Sequence, residues 1–324
     1  GVMHLLNQIA HSILIDTPSK RIEFMSKTRV SLVLLISIFS SAIIAQVKSA
    51  GQLESITVNG VERQWRIFIP SSYKKGKPTP LVLDFHGSGA APDRQAMLSE
   101  FEQLAELEEF FVISPAAKYY RKKGGYVTWN VDLHEKGVDD VLFIRELLAS
   151  ISQHYTIDPT RIYSTGFSGG ARMSSRLACD LSNIIAAIGP VAGVRYPEDC
   201  NPSRPVPVIT FHSKADNINH YKHQADSSAY WRMGVEEALS GWISTNQCTG
   251  SPALETVSDS VIRVSHRNCQ SEGDVVFYRS DDAGHTWPGS PLADELEKFG
   301  LGKTNMEIPA TKLIWEFFKM HPLQ

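Results

Sequence analysis

Apolar positions along this chain change period repeatedly, and each change marks an element. In ESITVNGVERQWRIFIP, Trp65, Ile67 and Ile69 alternate to one side, and Asn59-Gly60 between the two arms predicts a hairpin. PLVLDFHG and FFVISPA are short apolar runs on either side of a helical stretch from about Arg94 to Glu108. Val141, Ile144, Leu147, Leu148 and Ile151 then recur at helical spacing, followed by a strand over Ile162–Thr165 and a helix over Ala171–Ala178 that places Met173 and Leu177 on one side. IAAIGPVAG and PVPVITFHS read as further apolar strands, Val235–Ile243 as a helix, DVVFYRS as a strand and ATKLIWEFFKMH as a terminal helix. Strands that are apolar throughout and alternate with helices predict an α/β fold, a mostly parallel sheet covered by helices on both faces. No internal repeat, linker or appended module is apparent, so residues 51–324 read as a single domain.

The N-terminal region follows a different rule. Met25 opens a stretch in which Lys27 and Arg29 precede an apolar run from Val30 to Ala45, the layout of a secretory signal peptide over residues 25–50, with cleavage expected after Ala42 or near Ala50. Residues 1–24 show no packing pattern and stand apart as an upstream segment. The apolar run is shorter than the ~20 residues of a spanning helix and is broken by Ser31, Ser37, Ser40 and Ser41, so no membrane anchor is expected once the signal is cleaved.

Composition narrows the picture further. The 324 residues are 42% hydrophobic and carry a net charge of -3, which excludes a disordered chain and gives no broad basic field for nucleic acid. The local run KYYRKKGG, Lys118–Gly125, reads as a solvated loop. Export predicts an oxidising compartment, where the four cysteines pair; the equal separations favour Cys179–Cys200 and Cys248–Cys269. Zinc ligation is the rival reading, but no C-x-x-C pair exists, and no metal or cofactor is expected.

The candidate chemistry lies in RIYSTGFSGGARM. Gly166, Ser168 and Gly170 form G-x-S-x-G at a predicted strand-to-helix turn, the layout of a nucleophile elbow. A random chain of this length would hold the bare pattern roughly one time in ten, so partners must be found elsewhere. A serine hydroxyl needs a base, and the base needs an acid, in the chain order serine, acid, histidine. Of the downstream histidines, His212 and His266 lie within predicted strands, His220 and His223 lie in the stretch before a helix, and His321 lies in the terminal helix. His285 lies in SDDAGHTWPGS, a loop directly after a strand, and is the candidate base. Asp216 follows the strand ending near His212 and is the candidate acid; Asp281 and Asp282, only three or four residues from His285, are its rivals. Two backbone N–H groups are needed for a developing oxyanion. Gly169 supplies one, and the loop DFHGSGA supplies the other through Ser88, with Gly87 as the near alternative and His86 as a brace of that loop. Trp129 and Trp287 are the aromatic candidates to flank a substrate, with core packing as the alternative for each.

LVLDFHGSGA, the long stretch from Val138 through FSGGARMSSRLACD, PVAG, PVPVITFHSKADNINHY, EEALSGWISTNQC and GHTWPGS together resemble the secreted polyhydroxybutyrate depolymerase and feruloyl esterase-like serine esterases, over roughly Ile56 to Phe318. The resemblance implies an α/β-hydrolase fold and ester hydrolysis through an acyl-serine, with Ser168, Asp216 and His285 at the matching positions and two disulfides. One departure is ADNINHY after the acid, where relatives commonly carry a proline-containing turn. The expected substrate is a small-molecule or polymeric ester, with hydroxycinnamoyl or short acyl esters ahead of solid poly(3-hydroxybutyrate). A prolyl-oligopeptidase-type peptidase is a competing enzyme class, although no propeller-like repeat precedes the catalytic segments. A non-catalytic binding protein on a hydrolase scaffold is the other alternative, although every triad member has a candidate here.

Overall fold

The computed structural model describes residues 51–324; the signal-peptide and upstream readings lie outside the described residues. Strands β1 (Gln52–Val58) and β2 (Val61–Phe68) form the predicted hairpin, with Val58 opposite Val61. Asn59 and Gly60 both have positive φ, 48° and 75°, as the two-residue turn requires. Strand β3 (Thr79–Phe85) is buried at every position. The helical stretch that follows is two helices, α1 (Pro92–Ser99) and α2 (Phe101–Glu108), because Glu100 takes a left-handed conformation between them. Next come β4 (Phe111–Pro115) and a small antiparallel ribbon of β5 (Tyr119–Tyr120) and β6 (Val127–Thr128). Strands of two residues carry no readable period, and the ribbon was not predicted. The run Lys118–Gly125 therefore belongs to a folded ribbon and its tip.

Helix α3 (Asp140–His154) is capped by the Asp139 carboxylate, which accepts from the Leu142 N–H. Strand β7 (Ile157–Phe167) leads into α4 (Gly169–Asp180), followed by β8 (Ile188–Val191), β9 (Val208–Ser213) and α5 (Val235–Thr245). The chain ends through β10 (Ala253–Ser258), β11 (Val261–His266), β12 (Val275–Ser280), α6 (Ala293–Lys298) and α7 (Ala310–Met320).

The large sheet has the order β1-β2-β4-β3-β7-β8-β9-β12-β11-β10. Its centre, from β4 to β12, is parallel, and the pairs at both edges are antiparallel. Alternation along β3 separates two cores: Leu81, Leu83 and Phe85 pack with α3, α4 and α5, while Val82 packs with α1, α2 and α7. Both cores are needed because parallel strands present apolar side chains on both faces. Disulfides join Cys179 to Cys200 and Cys248 to Cys269, as expected from the spacing.

Candidate active site

The carboxyl ends of β3, β7, β9 and β12 lie along one edge of the sheet, and each delivers one part of the site. Ser168, between β7 and α4, has φ 53° and ψ −107°, a conformation that costs a non-glycine residue on the order of 1–3 kcal/mol. Its N–H is held by the Val191 carbonyl at 2.9 Å. At Gly170 a Cβ would collide with the Phe85 carbonyl, so the second glycine of the pattern lets α4 start hard against β3.

Asp216 sits on a turn after β9. Its Oδ1 accepts from the N–H groups of Ile218 and Asn219, each at 2.8 Å, so the carboxylate itself closes the turn in ADNINHY without a proline. Its Oδ2 accepts from His285 Nδ1 at 2.8 Å and lies 3.3 Å from His212 Nε2. Burial alone would raise this carboxyl; electrostatic attraction to the His285 and His212 imidazoles, the bond from His285 and the Ile218 N–H outweigh it and hold the group below the usual carboxylate range. His212 is buried, which lowers its basicity, and its Nε2 also meets the Asn219 carbonyl at 2.8 Å. Asp281 and Asp282 instead pair with Lys214 and Lys303 at 2.7 and 3.0 Å.

His285 is pinned by its own N–H to the Leu301 carbonyl at 2.6 Å and packs its ring against Phe167 at 4.9 Å. With Nδ1 donating to Asp216, Nε2 is left as an acceptor. Ser168 and His285 line one cavity of about 1070 Å³. Gly87 and Ser88 line it too. A Cβ on Gly169 would lie 3.0 Å from the Ser88 nitrogen, so the two expected oxyanion amides belong to adjoining residues, and Ser88 Oγ is fixed at 2.7 Å from Thr128 Oγ1. His86 braces the same loop: its ring bonds Gly87 O and accepts from the Ala117 N–H, and its own carbonyl accepts from Trp129 Nε1. Burial pushes His86 down to about 4, so it is neutral at neutral pH.

The two tryptophans proposed as substrate walls are core residues instead. Trp129 is fully buried, edge-on to Phe85, and Trp287 is 1% exposed, edge-on to Phe101 with its Nε1–H donating to Thr311 Oγ1 at 3.0 Å. Large indoles bury the most area where every face is packed and the N–H finds a partner, and both do so behind the site. The aromatic lining is Tyr126, Phe167, Tyr230 and Phe299, alongside Leu98, Leu296 and Leu301. Tyr126 stood in the same GGYVTWN segment as Trp129, but nothing in its pattern distinguished wall from core. Arg121 and Lys122 also line the cavity, so the run read as a solvated loop contributes to the site. Among the described residues no cluster of three or more His, Cys, Asp or Glu could hold a metal ion.

A family model described as Esterase PHB depolymerase matches residues 65–241, more than half of the chain. The chain belongs to the esterase PHB depolymerase family. The match takes in Ser88, Ser168, Gly169 and Asp216 and ends before His285, which the fold returns to them. Feruloyl esterase B of Piromyces equi is 26% identical over 242 residues, 72% of this chain and 44% of that protein. The chain thus spans less than half the length of that relative. Feruloyl esterase D of Neurospora crassa is 25% identical over 240 residues, 70% of this chain and 75% of that protein. The solved acetyl xylan esterase from Aspergillus awamori superposes with a TM-score of 0.55 at 17% identity, covering 78% of this chain and all of that one, which shows the α/β-hydrolase fold of the family.

Proposed function

We infer that this family member is a secreted serine carboxylic-ester hydrolase that works through an acyl-serine and accepts hydroxycinnamoyl or short acyl esters. The single observation that carries the reading is the Asp216–His285 bond at 2.8 Å at the wall of the cavity that also holds Ser168. In this mechanism Ser168 Oγ attacks the ester carbonyl while His285 Nε2 takes its proton. The Ser88 and Gly169 N–H groups receive the negative charge that develops on the carbonyl oxygen. Collapse breaks the bond to the alcohol, to which His285 returns the proton; water then enters by the same route in reverse and releases the acid. Asp216 holds the imidazole tautomer and stabilises its cation. The two disulfides and the names of the relatives support export and ester substrates.

Ser168→Ala is expected to lower turnover of a p-nitrophenyl short-chain ester by at least roughly a thousandfold while the protein keeps its far-UV circular dichroism and Tm. A well-folded Ser168→Ala protein that retains its activity overturns the nucleophile assignment.

A further inference from the structure

The cavity has two chemically different walls. Leu98, Phe167 and Leu296 belong to the core on one face of the sheet, and Leu301 packs against it. Tyr230 packs against the core on the other face and shares its side of the cavity with the ribbon tip that carries Arg121 and Lys122. Ser168 stands at the end of β7, within the sheet that divides those cores.

The second wall carries uncompensated positive charge. The chain as a whole is negative, yet among the described residues the cavity lining includes Arg94, Arg121 and Lys122 and no aspartate or glutamate. Arg94 is neutralised by Glu295 at 2.7 Å. Arg121 and Lys122 make no ion pair among the described residues. Arg172, in the first turn of α4 after Ser168, is 1% exposed, and neither its Nε nor its Nη1 has a hydrogen-bond partner among the described residues. Its Cζ lies 4.4 Å from the centre of the Tyr230 ring, and that of Arg121 lies 4.7 Å from the same centre. The neighbouring carboxylate, Asp132, is engaged by Arg195 at 2.6 Å and Arg232 at 3.4 Å. Burial, then repulsion by Arg121 and Arg195, push Arg172 down to about 9. Buried guanidinium donors are ordinarily satisfied, and leaving them unpaired is costly.

We propose that Arg121 and Lys122, with Arg172 behind Tyr230, form an anion subsite that selects esters whose alcohol part carries a carboxylate, as a hydroxy acid or a sugar acid does. The proposal rests on the esterase reading above. It assigns the apolar wall to a neutral acyl group and the cationic wall to the leaving alcohol. Charge placement decides the direction at deacylation: a carboxylate on the acyl group is still beside the second oxyanion when water attacks, whereas one on the alcohol has already departed. Arg172 acts as a positioning residue, stacking on Tyr230 and adding its field from below.

The test compares matched pairs of esters. The feruloyl ester of glycolic acid is set against the feruloyl ester of glycolamide, its neutral isostere. 4-Nitrophenyl hemisuccinate is set against 4-nitrophenyl succinamate, which moves the same charge change to the acyl side. The glycolate ester is expected to have a kcat/KM about tenfold or more above the glycolamide ester at low salt, carried mainly by KM and shrinking as ionic strength rises. In Arg121→Gln and Arg121→Gln/Lys122→Gln, changes confined to exposed positions of the ribbon tip, that ratio falls toward one. A ratio near one in wild type, with the neutral ester cleaved, overturns the anion subsite and leaves the esterase reading intact. A preference for hemisuccinate over succinamate overturns the alcohol-side placement. Failure to cleave any of the four esters overturns the esterase reading and this proposal with it.

Discussion

Asp216 faces two imidazoles through one oxygen and two backbone amides through the other, so each lone pair of its carboxylate has a defined task. Asp216→Asn would present an amide N–H or a mispaired oxygen to His285 and favour the wrong tautomer, with kcat expected to fall by roughly a thousandfold or more while the fold survives. Asp282→Asn, at a half-exposed carboxylate paired with Lys303, should leave kcat within about twofold; if it proves the more damaging of the two, the acid has been misassigned. The aromatic residues divide in the same concrete way. Phe299 is 70% exposed and lines the cavity, so Phe299→Ala should raise KM for methyl ferulate several-fold more than for p-nitrophenyl acetate, with little change in Tm. Trp287→Ala should instead cost about 3–5 kcal/mol of stability, read by denaturant unfolding. A change in Trp287→Ala that affected only KM would return that residue to the substrate wall. The positions of the candidate triad could be read from the sequence because chain order and strand ends restrict them strongly. The aromatic wall could not, because an exposed Phe299 and a buried Trp287 carry the same apolar signal and differ only in what the fold packs against them.

At the scale of single elements, β3 and its loop carry a pH dependence of their own. Asp84 is buried in that strand, accepting from Gln95 Nε2 at 2.7 Å and Ser99 Oγ at 2.6 Å, and burial pushes its carboxyl up to about 7. Folded protein therefore binds a proton there that unfolded chain has already released. The stability this group contributes is fully present below the unfolded carboxyl value of 3.8 and is lost as pH rises through about 7. His86 acts in the opposite sense, because its lowered value means that unfolded chain protonates first; its contribution is lost as pH falls from 6.5 through about 4. Comparing Asp84→Asn with wild type cancels the histidine. The Tm of the variant minus that of wild type should become more positive between pH 4 and pH 7.5, and a flat or falling difference would show that Asp84 stays ionised in the fold. The disulfides belong to this scale as well: each closes a 21-residue separation, and Cys248→Ser/Cys269→Ser should cost roughly 3 kcal/mol in the chain-entropy model, with peptide mapping of wild type without reductant recovering both local pairs. Elements with a sustained period were legible in the sequence. The ribbon β5–β6 was not, since it is too short to show one, and the break at Glu100 was not, since its left-handed turn uses a residue of ordinary helical propensity.

For the whole molecule, the order of the parallel strands explains why residues as distant as Ser88 and His285 share one cavity, and why that cavity spans the ends of two separate cores. Alternating apolar strands and helices made the parallel centre of the sheet legible. The edge strand β10 was hidden, because ALETVS is mostly exposed and lacks a buried face to announce it. The same geometry bears on substrate. A concave chamber of about 1070 Å³, with Tyr126 and Phe299 exposed at its lining and Phe167 beside His285, suits a discrete acyl group better than a solid surface, where many chains must be reached at once. Methyl ferulate, acetylated xylan, poly(3-hydroxybutyrate) and a proline-containing peptide anilide should therefore be offered side by side to the purified protein. The soluble esters are expected to be cleaved and the anilide left intact, because an amide leaving group needs stronger protonation than an ester's. Methyl ferulate should be cleaved faster per enzyme than the polymer is cleared, since Leu98, Phe167 and Leu296 offer its ring an apolar wall in the cavity that also holds Ser168. Faster clearing of polymer would reverse that ranking and move substrate recognition from the chamber to the surface around it, and cleavage of the anilide would place the protein with the peptidases.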